Sequence, residues 1–198
     1  INIAPTASIT DTTSTPVPTL AMPTGVEVTD TETTDWGLPT NLSRSGSTIA
    51  PQMVIDANGR FHALWRDTID GFGYAIGDGS VWSDPVSIEA PFATRRNFPE
   101  LEPNDPTPYF TPQLVADSRG NIHALWVDTS EPTQPSLYHS QVPAGQFNDI
   151  NAWATRQLVD TGSLAPAMLA DSAGQIHLVY VRNNESQGRR AGVYYQLL

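Results

Sequence analysis

Cysteine and lysine are both absent from this 198-residue chain, and cationic charge is scarce. Without cysteine, neither a disulfide framework nor a thiolate metal site can form. No run approaches the roughly eighteen apolar residues of a membrane span, so none is predicted. All ten cationic side chains are arginine, against 21 acids, and the net charge is −11. We therefore expect no nucleic-acid partner, because phosphate contacts need a basic face.

The first part of the chain, residues 1–34, is crowded with threonine, proline, serine and acids. It has too few large apolar side chains to offset the entropy of ordering, so a disordered tail or an extended stalk is predicted. Stalks rich in threonine and proline are typical of exported proteins, which favours an extracellular or cell-surface location. The chain begins at Ile1 without a methionine, which indicates a processed or trimmed product.

The remainder, residues 35–198, contains one motif three times, at 51–67, 112–128 and 166–182. The copies align without a gap as proline, apolar run, Asp-x-x-Gly, histidine and aromatic. The repeated positions are Asp56, Gly59, His62 and Trp65, then Asp117, Gly120, His123 and Trp126, then Asp171, Gly174, His177 and Tyr180. Each copy predicts a β-hairpin, because the apolar run suits a buried strand and Asp-x-x-Gly suits a turn.

Two further strands are predicted in each repeat. The third strand carries a tyrosine that we place at one shared position, Tyr74, Tyr138 or Tyr194, and the fourth opens with Trp82 or Trp153. The fold class is therefore all-β, with four antiparallel strands per repeat. The units span about 47–93, 108–162 and 163–198, and four short strands per unit are typical of a propeller blade.

The third unit ends before a fourth-strand motif, whereas such a motif, Trp36 to Ser43, precedes the first unit. We expect a strand over 35–45 that completes the last blade or a partner's blade. Three blades are too few for a ring, which needs about four to eight. Two alternatives remain open: the chain is the N-terminal part of a longer propeller, or two copies close a six-bladed ring.

Together these motifs resemble the blades of sialidase-like propellers, the bacterial neuraminidase repeat proteins. The resemblance covers about 35–198. Residues 76–82 resemble a degenerate form of that family's Asp-box. It implies a propeller fold. Sialidases of this kind need an arginine triad, a tyrosine nucleophile with a glutamate, and an aspartic acid/base, and no residue here is placed at those positions. We therefore assign no catalytic residue and no cofactor.

Three sets of repeated side chains invite chemical interpretations. The histidines suggest a metal site and the aspartates a calcium site, but equivalent positions on separate blades favour a structural role, so no metal is predicted. The tryptophans suit packing between blades better than stacking on sugars. Loops outside the repeat are better ligand-binding candidates. The candidate ligand-binding residues are Arg95, Arg96, Phe98, Arg189 and Arg190.

Three functions are compatible with this pattern. The first is a non-catalytic binding or scaffold propeller, secreted or at the cell surface, whose loops recognise a glycan or protein partner. The second is the N-terminal part of a sialidase-type glycoside hydrolase, with catalytic groups outside this chain. The third is a structural subunit that completes a propeller with a second chain or copy. The sequence does not identify the ligand or the number of blades.

Overall fold

The computed structural model describes residues 38–93, 111–131, 133–183, 185 and 188–198. Backbone contacts divide the chain into Ile1–Pro39, of which only Leu38 and Pro39 are described, and Thr40–Leu198. The second unit consists of three antiparallel sheets, which confirms the all-β prediction. In the described part of the chain, no helix has the length and apolar character needed to cross a bilayer.

Each sheet is a meander in which consecutive strands pair. The first sheet comprises β1 (Thr48–Ile55), β2 (Phe61–Asp67), β3 (Gly71–Gly77) and β4 (Val86–Ile88). The second comprises β5 (Gln113–Ala116), β6 (Asn121–Asp128), β7 (Ser136–Pro143) and β8 (Gln157–Thr161). The third comprises β9 (Ser163–Ala170), β10 (Ile176–Arg182) and β11 (Gly192–Leu197). Four strands are therefore present in two sheets and three in the last.

The Asp-x-x-Gly segments form the turn between the first two strands of every sheet. The glycine amide donates to the aspartate carbonyl at 2.9, 3.4 and 3.0 Å in the three copies. Gly59, Gly120 and Gly174 have φ of 77°, 89° and 76°. A residue with a side chain is strained in this left-handed region, which explains why glycine closes each turn.

The third strands are shifted by one residue from the alignment expected from their tyrosines. Trp65 pairs with Gly73, Trp126 with Tyr138, and Tyr180 with Tyr194. Tyr138 and Tyr194 therefore correspond to a glycine in the first sheet, and the prediction that Tyr74 shares their position was wrong. The tight hairpin of the first sheet places Gly73 under the ring of Trp65, where an aromatic side chain has no room.

The fourth strands begin later than their tryptophans. Trp82 makes only an isolated bridge to Gly77, and Trp153 precedes β8 by several residues. The strand expected over 35–45 is not formed by its described residues, 38–45, and within the described chain β11 is an edge strand. Leu42 packs instead against Trp65 and Trp82, because an apolar side chain here has a buried aromatic cluster to join.

The sheets stack face to face in chain order. We call the side of each sheet that carries His62, His123 or His177 its front face, and the side that carries Trp65, Trp126 or Tyr180 its back face. The first strands of neighbouring sheets lie against one another, β1 against β5 and β5 against β9. The front of the first sheet packs on the back of the second, and the front of the second on the back of the third.

Two apolar clusters join the three sheets. One joins Leu64, Phe72 and Tyr74 of the first sheet to Ile122 and Trp126 of the second. The other joins the second and third sheets; its buried members are Leu125, Val127, Leu137, Leu178 and Tyr180. The second sheet is therefore buried on both faces, as near-continuous burial along β6 also indicates.

A buried ion pair also links the second and third sheets. The Nη1 of Arg182, at the end of β10, donates to both carboxylate oxygens of Asp160, at 2.7 and 2.8 Å, and Asp160 lies on β8. Ser163 donates to the same carboxylate at 2.7 Å. Burial acts to raise the pKa of Asp160, but hydrogen bonds from Ser163, the Thr161 amide and Arg182 outweigh it and lower that pKa. The carboxylate stays charged and fixes the two sheets together.

Replacing Gly73 by alanine should destabilise the chain by more than about 1 kcal/mol, because the new methyl group would overlap the Trp65 ring in a closely packed site. Chemical denaturation measures the loss. Gly46 provides a matched control, since nothing lies within 4 Å of a Cβ added there, and Gly46→Ala should change the free energy of unfolding by less than about 0.5 kcal/mol. Equal effects of the two substitutions would contradict the placement of Trp65.

Replacing Arg182 by methionine should cost about 3 kcal/mol, because it leaves the buried Asp160 carboxylate without its main partner. Arg156→Met is the comparison: that arginine is half-exposed and lies 3.5 Å from Asp128, so its loss should cost about 1 kcal/mol or less. Urea unfolding of both variants at neutral pH tests the difference. Similar losses would show that Arg182 is not held as described.

Candidate functional site

The repeated aspartates organise their own turns. One carboxylate oxygen, Oδ1, accepts two backbone amides in every copy. For Asp56 the distances are 2.8 and 2.9 Å, for Asp117 they are 2.9 and 2.7 Å, and for Asp171 they are 2.9 and 2.8 Å. An aspartate that bonds the backbone two and four residues ahead holds the chain in a turn. Oδ1, one of the two carboxylate oxygens that a calcium ion would need, is therefore already bonded to two backbone amides in each copy.

The second carboxylate oxygen of each aspartate contacts the repeated histidine. The Oδ2 to Nε2 distances are 3.3, 3.2 and 3.2 Å for His62, His123 and His177. The other ring nitrogen, Nδ1, lies 2.7 Å from the Tyr74 hydroxyl, 3.0 Å from His139 Nε2 and 2.9 Å from the Tyr195 hydroxyl. We call each set an Asp–His network. It joins the turn, the second strand and the third strand of one sheet.

One tautomer satisfies all three networks. A histidine that donates from Nε2 to the aspartate is left with Nδ1 as an acceptor, and the tyrosine hydroxyl or the His139 Nε2–H can then donate to it. Both ring nitrogens of each repeated histidine have a partner in this arrangement. His139 and Tyr195 are the third-strand members that the sequence alignment missed, because Tyr138 and Tyr194 were aligned with Tyr74 in their place.

Burial and hydrogen bonds together set the charges of the first network. It opposes ionisation of Asp56, yet the amides of Arg60 and Asn58 and the His62 ring outweigh it and lower the pKa of Asp56 to about 2. Burial lowers the pKa of His62 and raises that of Tyr74 to about 12. Tyr74 is therefore a protonated hydrogen-bond donor at neutral pH. It does not have the activated hydroxyl that a nucleophile requires.

The third network lies at the surface. His177 and Asp171 are about one third exposed and Tyr195 is exposed. They border a shallow apolar depression of about 360 Å³ on the front face of the third sheet. Its lining residues are Ala167, Met168, Leu169, His177, Leu178, Val179 and Tyr195. This depression carries the same network that the other sheets bury.

The three histidines do not converge on one point. Each lies on the front face of a different sheet and bonds its own aspartate. In the described ranges no group of three histidine, aspartate or glutamate side chains is arranged to hold a metal ion. Asp78, in the segment that resembles an Asp-box, likewise bonds locally: its Oδ1 accepts from the Ser80 and Val81 amides, both at 2.9 Å.

The candidate ligand-binding residues fall into two groups. Arg95, Arg96 and Phe98 lie outside the described residues. Arg189 approaches Asp160 at 3.5 Å and also bonds Tyr180, so it is tied to the third sheet. Arg190 lies next to it with an exposed side chain, while its carbonyl accepts from the Tyr194 hydroxyl. Arg190 is thus the described cation of this group best placed to meet a ligand.

Three of the tryptophans have little surface to offer a sugar ring. Trp65, Trp126 and Trp153 are buried, and Trp36 lies outside the described residues. Trp126 stacks on Tyr138 with ring centres 5.9 Å apart. Trp153 donates from Nε1 to the Phe147 carbonyl at 3.1 Å. Their contacts are those of packing residues.

The pair His123 and His139 should make stability depend on pH. Burial, with the charge of His123 as a smaller cause, lowers the pKa of His139 from 6.5 to about 4. Between about pH 6.5 and 4, His139 is therefore protonated in the unfolded chain but not in the folded chain. Stability should fall by about 3 kcal/mol as the pH drops through that window. Imidazole NMR titration and urea unfolding at several pH values measure both effects.

The variant His139→Tyr copies the residue found in the other two networks and removes the titrating group. Its stability should fall less than that of the wild type over the same range; the contribution of His62, whose pKa is also lowered, has the same sign and remains. A wild-type His139 resonance that titrates near 6.5 would refute the burial of a neutral His139.

No model of a known protein family matches this sequence, and no curated protein is significantly similar to it. The resemblance to sialidase-like repeats is therefore carried by the motifs alone. What the chain does has to be inferred from its geometry: three equivalent sheets, three equivalent Asp–His networks, and one of those networks at an uncovered face.

Proposed function

We propose that the three sheets are blades of a β-propeller and that the chain is a non-catalytic binding or scaffold module, secreted or at the cell surface. Support for the propeller comes from the meander of each sheet, the adjacent first strands, and the repeated contact of front on back face. Propeller blades pack in this way around a central axis. The threonine- and proline-rich residues 1–34 favour an exported protein.

The carrying observation is that the repeated reactive side chains are engaged within their own sheets. Each aspartate, histidine and third-strand aromatic bonds the others in the same way three times. A catalytic site needs one distinctive constellation, whereas a structural device recurs wherever the same hairpin recurs. The networks are therefore best understood as ties between strands, which leave a rigid scaffold for loops to function on.

The arginines also argue against a sialidase-type centre in the described chain. Such a centre clamps a substrate carboxylate with several convergent guanidinium groups. Here five described arginines each lie against an aspartate at separate places. The pairs are Arg44–Asp84, Arg60–Asp56, Arg156–Asp128, Arg182–Asp160 and Arg189–Asp160. Only the last two share a site, and their common aspartate offsets one of the two charges.

The partner in this proposal is a glycan or a protein with carboxylate groups, bound by the loops. Arginine suits such a partner because its planar guanidinium can bind a carboxylate through two parallel hydrogen bonds. Arg190 lies in the connection between β10 and β11, and Arg95, Arg96 and Phe98 lie in the connection between the first two sheets.

A panel of fluorogenic sialosides tests the proposal directly. The purified 198-residue chain should give no turnover above the enzyme-free rate under acidic or neutral conditions, because the described residues include no activated nucleophile beside a cationic clamp. A bacterial sialidase is the positive control. Turnover that scales with protein concentration would refute the non-catalytic assignment and favour the hydrolase alternative.

Binding is measured on the same sialosides immobilised on a surface, with neutral glycans immobilised beside them for comparison. Arg190→Ala should weaken binding of a carboxylate-bearing glycan about three- to tenfold, the loss of one hydrogen bond of ordinary strength at an exposed site. Arg44→Ala is the matched control, because Arg44 is also exposed but bonds Asp84 on the first sheet. Equal losses for the two variants would mean that net charge, and not the β10–β11 loop, governs binding.

A further inference from the structure

The front face of the third sheet is exposed where the other two front faces are covered. Val193 is 76% exposed, whereas its equivalents Phe72 and Leu137 are 2% and 0% exposed. Val179 is 42% exposed, whereas Leu64 and Leu125 are fully buried. Five of the exposed large apolar side chains share this face: Leu169, Val179, Val193, Tyr195 and Leu197. An apolar patch of this kind on a soluble protein marks an interaction site.

The back face of the first sheet is uncovered along its first strand. Met53 and Ile55 on β1 are 61% and 51% exposed. The equivalents of Met53 are Leu114, which is buried between the first two sheets, and Met168, which packs between the second and third. The described part of the chain thus presents one front face and, along β1, one back face without a neighbouring sheet. A front face already packs on a back face at two places within the chain, between the first and second sheets and between the second and third.

The residues just before β1 repeat the contacts of β8. The Gly162 carbonyl, after β8, accepts the Asn183 amide, and the Ser47 carbonyl accepts the Thr68 amide in the same way, at 3.3 and 3.0 Å. Asp160 bonds Arg182 across the junction, and at the equivalent place the Ser45 side chain bonds Asp67. Residues 42–46 therefore occupy, beside the first sheet, the position of a fourth strand that belongs to a preceding sheet.

The third sheet has the complementary vacancy in its described part. In the first two sheets the third strand pairs with a fourth, β3 with β4 and β7 with β8. The strand β11 pairs only with β10 among the described residues. An edge strand of this kind accepts another strand through its free backbone groups.

We infer that two copies of this chain join head to tail, with the front face of each third sheet on the back face of the partner's first sheet. Residues 42–46 of each copy then add to β11 of the other as its fourth strand. The inference rests on the proposed propeller. Two copies supply six blades, within the four to eight of closed rings, and a twofold axis relates the two identical contacts.

The chemistry of the two faces suits this occupant. The third front face is apolar around one polar group, the Asp171–His177–Tyr195 network, and that group is satisfied internally. The first front face buries the same network under the second sheet, where Phe147 stacks on Tyr74 at 4.8 Å. A second copy can therefore bury the third network without leaving a polar atom unpaired.

Native mass spectrometry and sedimentation of the full 198-residue chain over a wide concentration series test the inference. The expected species has twice the 21.5 kDa mass of one chain. Val179→Glu on the front face and Met53→Arg on the back face should each shift the weight-average mass to that of a monomer. The double variant, which places the new charges opposite each other in both contacts, should regain the dimer. Ile69→Glu, at an exposed turn, should leave the dimer unchanged.

Circular dichroism separates dissociation from unfolding, and each variant should keep the strand signal, since the replaced side chains are partly exposed. A wild-type chain that stays monomeric, forms an open ladder of oligomers, or dimerises regardless of Val179 and Met53 would overturn the inference. Those outcomes leave the non-catalytic assignment intact. Turnover of a sialoside would refute that assignment whatever the mass, so the two failures are distinguishable.

Discussion

The structure depends on one constraint: each sheet has an apolar front face and an apolar back face, so it needs a neighbour on both sides. The second sheet meets this requirement in full, with Leu125 and Trp126 buried on opposite sides of the same strand. Burial of such side chains contributes roughly 1.5–3 kcal/mol each, which makes the stack the main source of stability. The Asp–His networks hold the strands of one sheet in place, and the Asp160–Arg182 pair holds the second sheet against the third.

The sequence was sufficient to predict the first hairpin of every sheet. The spacing from Asp56 to His62 recurs at Asp117 and Asp171 without insertions, so the pairing of the first two strands follows from local chemistry. The third strand could not be aligned in the same way. Residues 68–70, 129–135 and 183–191 join it to the second strand, and connections of unequal length erase the fixed offset. Only the pairing of Trp65 with Gly73 shows that Tyr74 corresponds to His139 and Tyr195.

The Asp–His networks and the Asp160–Arg182 ion pair could not be predicted from the sequence, for a related reason. Asp160 and Arg182 are far apart in the chain and meet only because two different sheets stack. His139 carries no sequence signal of its own, since its counterparts are tyrosines. The segment before β1 was expected to be a strand, and its described residues instead lie beside Trp65 and Trp82. Its likeness to β8 became visible through hydrogen bonds of Ser47 and Ser45 that no motif encodes.

The exposed front face of the third sheet differs from an ordinary apolar patch in the kind of partner that it can bind. Any apolar surface could cover Leu169 and Val179, but the network of Asp171, His177 and Tyr195 stands within the same face. A partner that disturbed those hydrogen bonds would leave a buried carboxylate or imidazole unpaired, at a cost of about 1–3 kcal/mol or more. Phe147, in the connection between β7 and β8, already packs on the first network with its hydrogen bonds intact. The polar group therefore selects for a surface of the chain's own kind, and this selectivity is what an apolar face alone lacks.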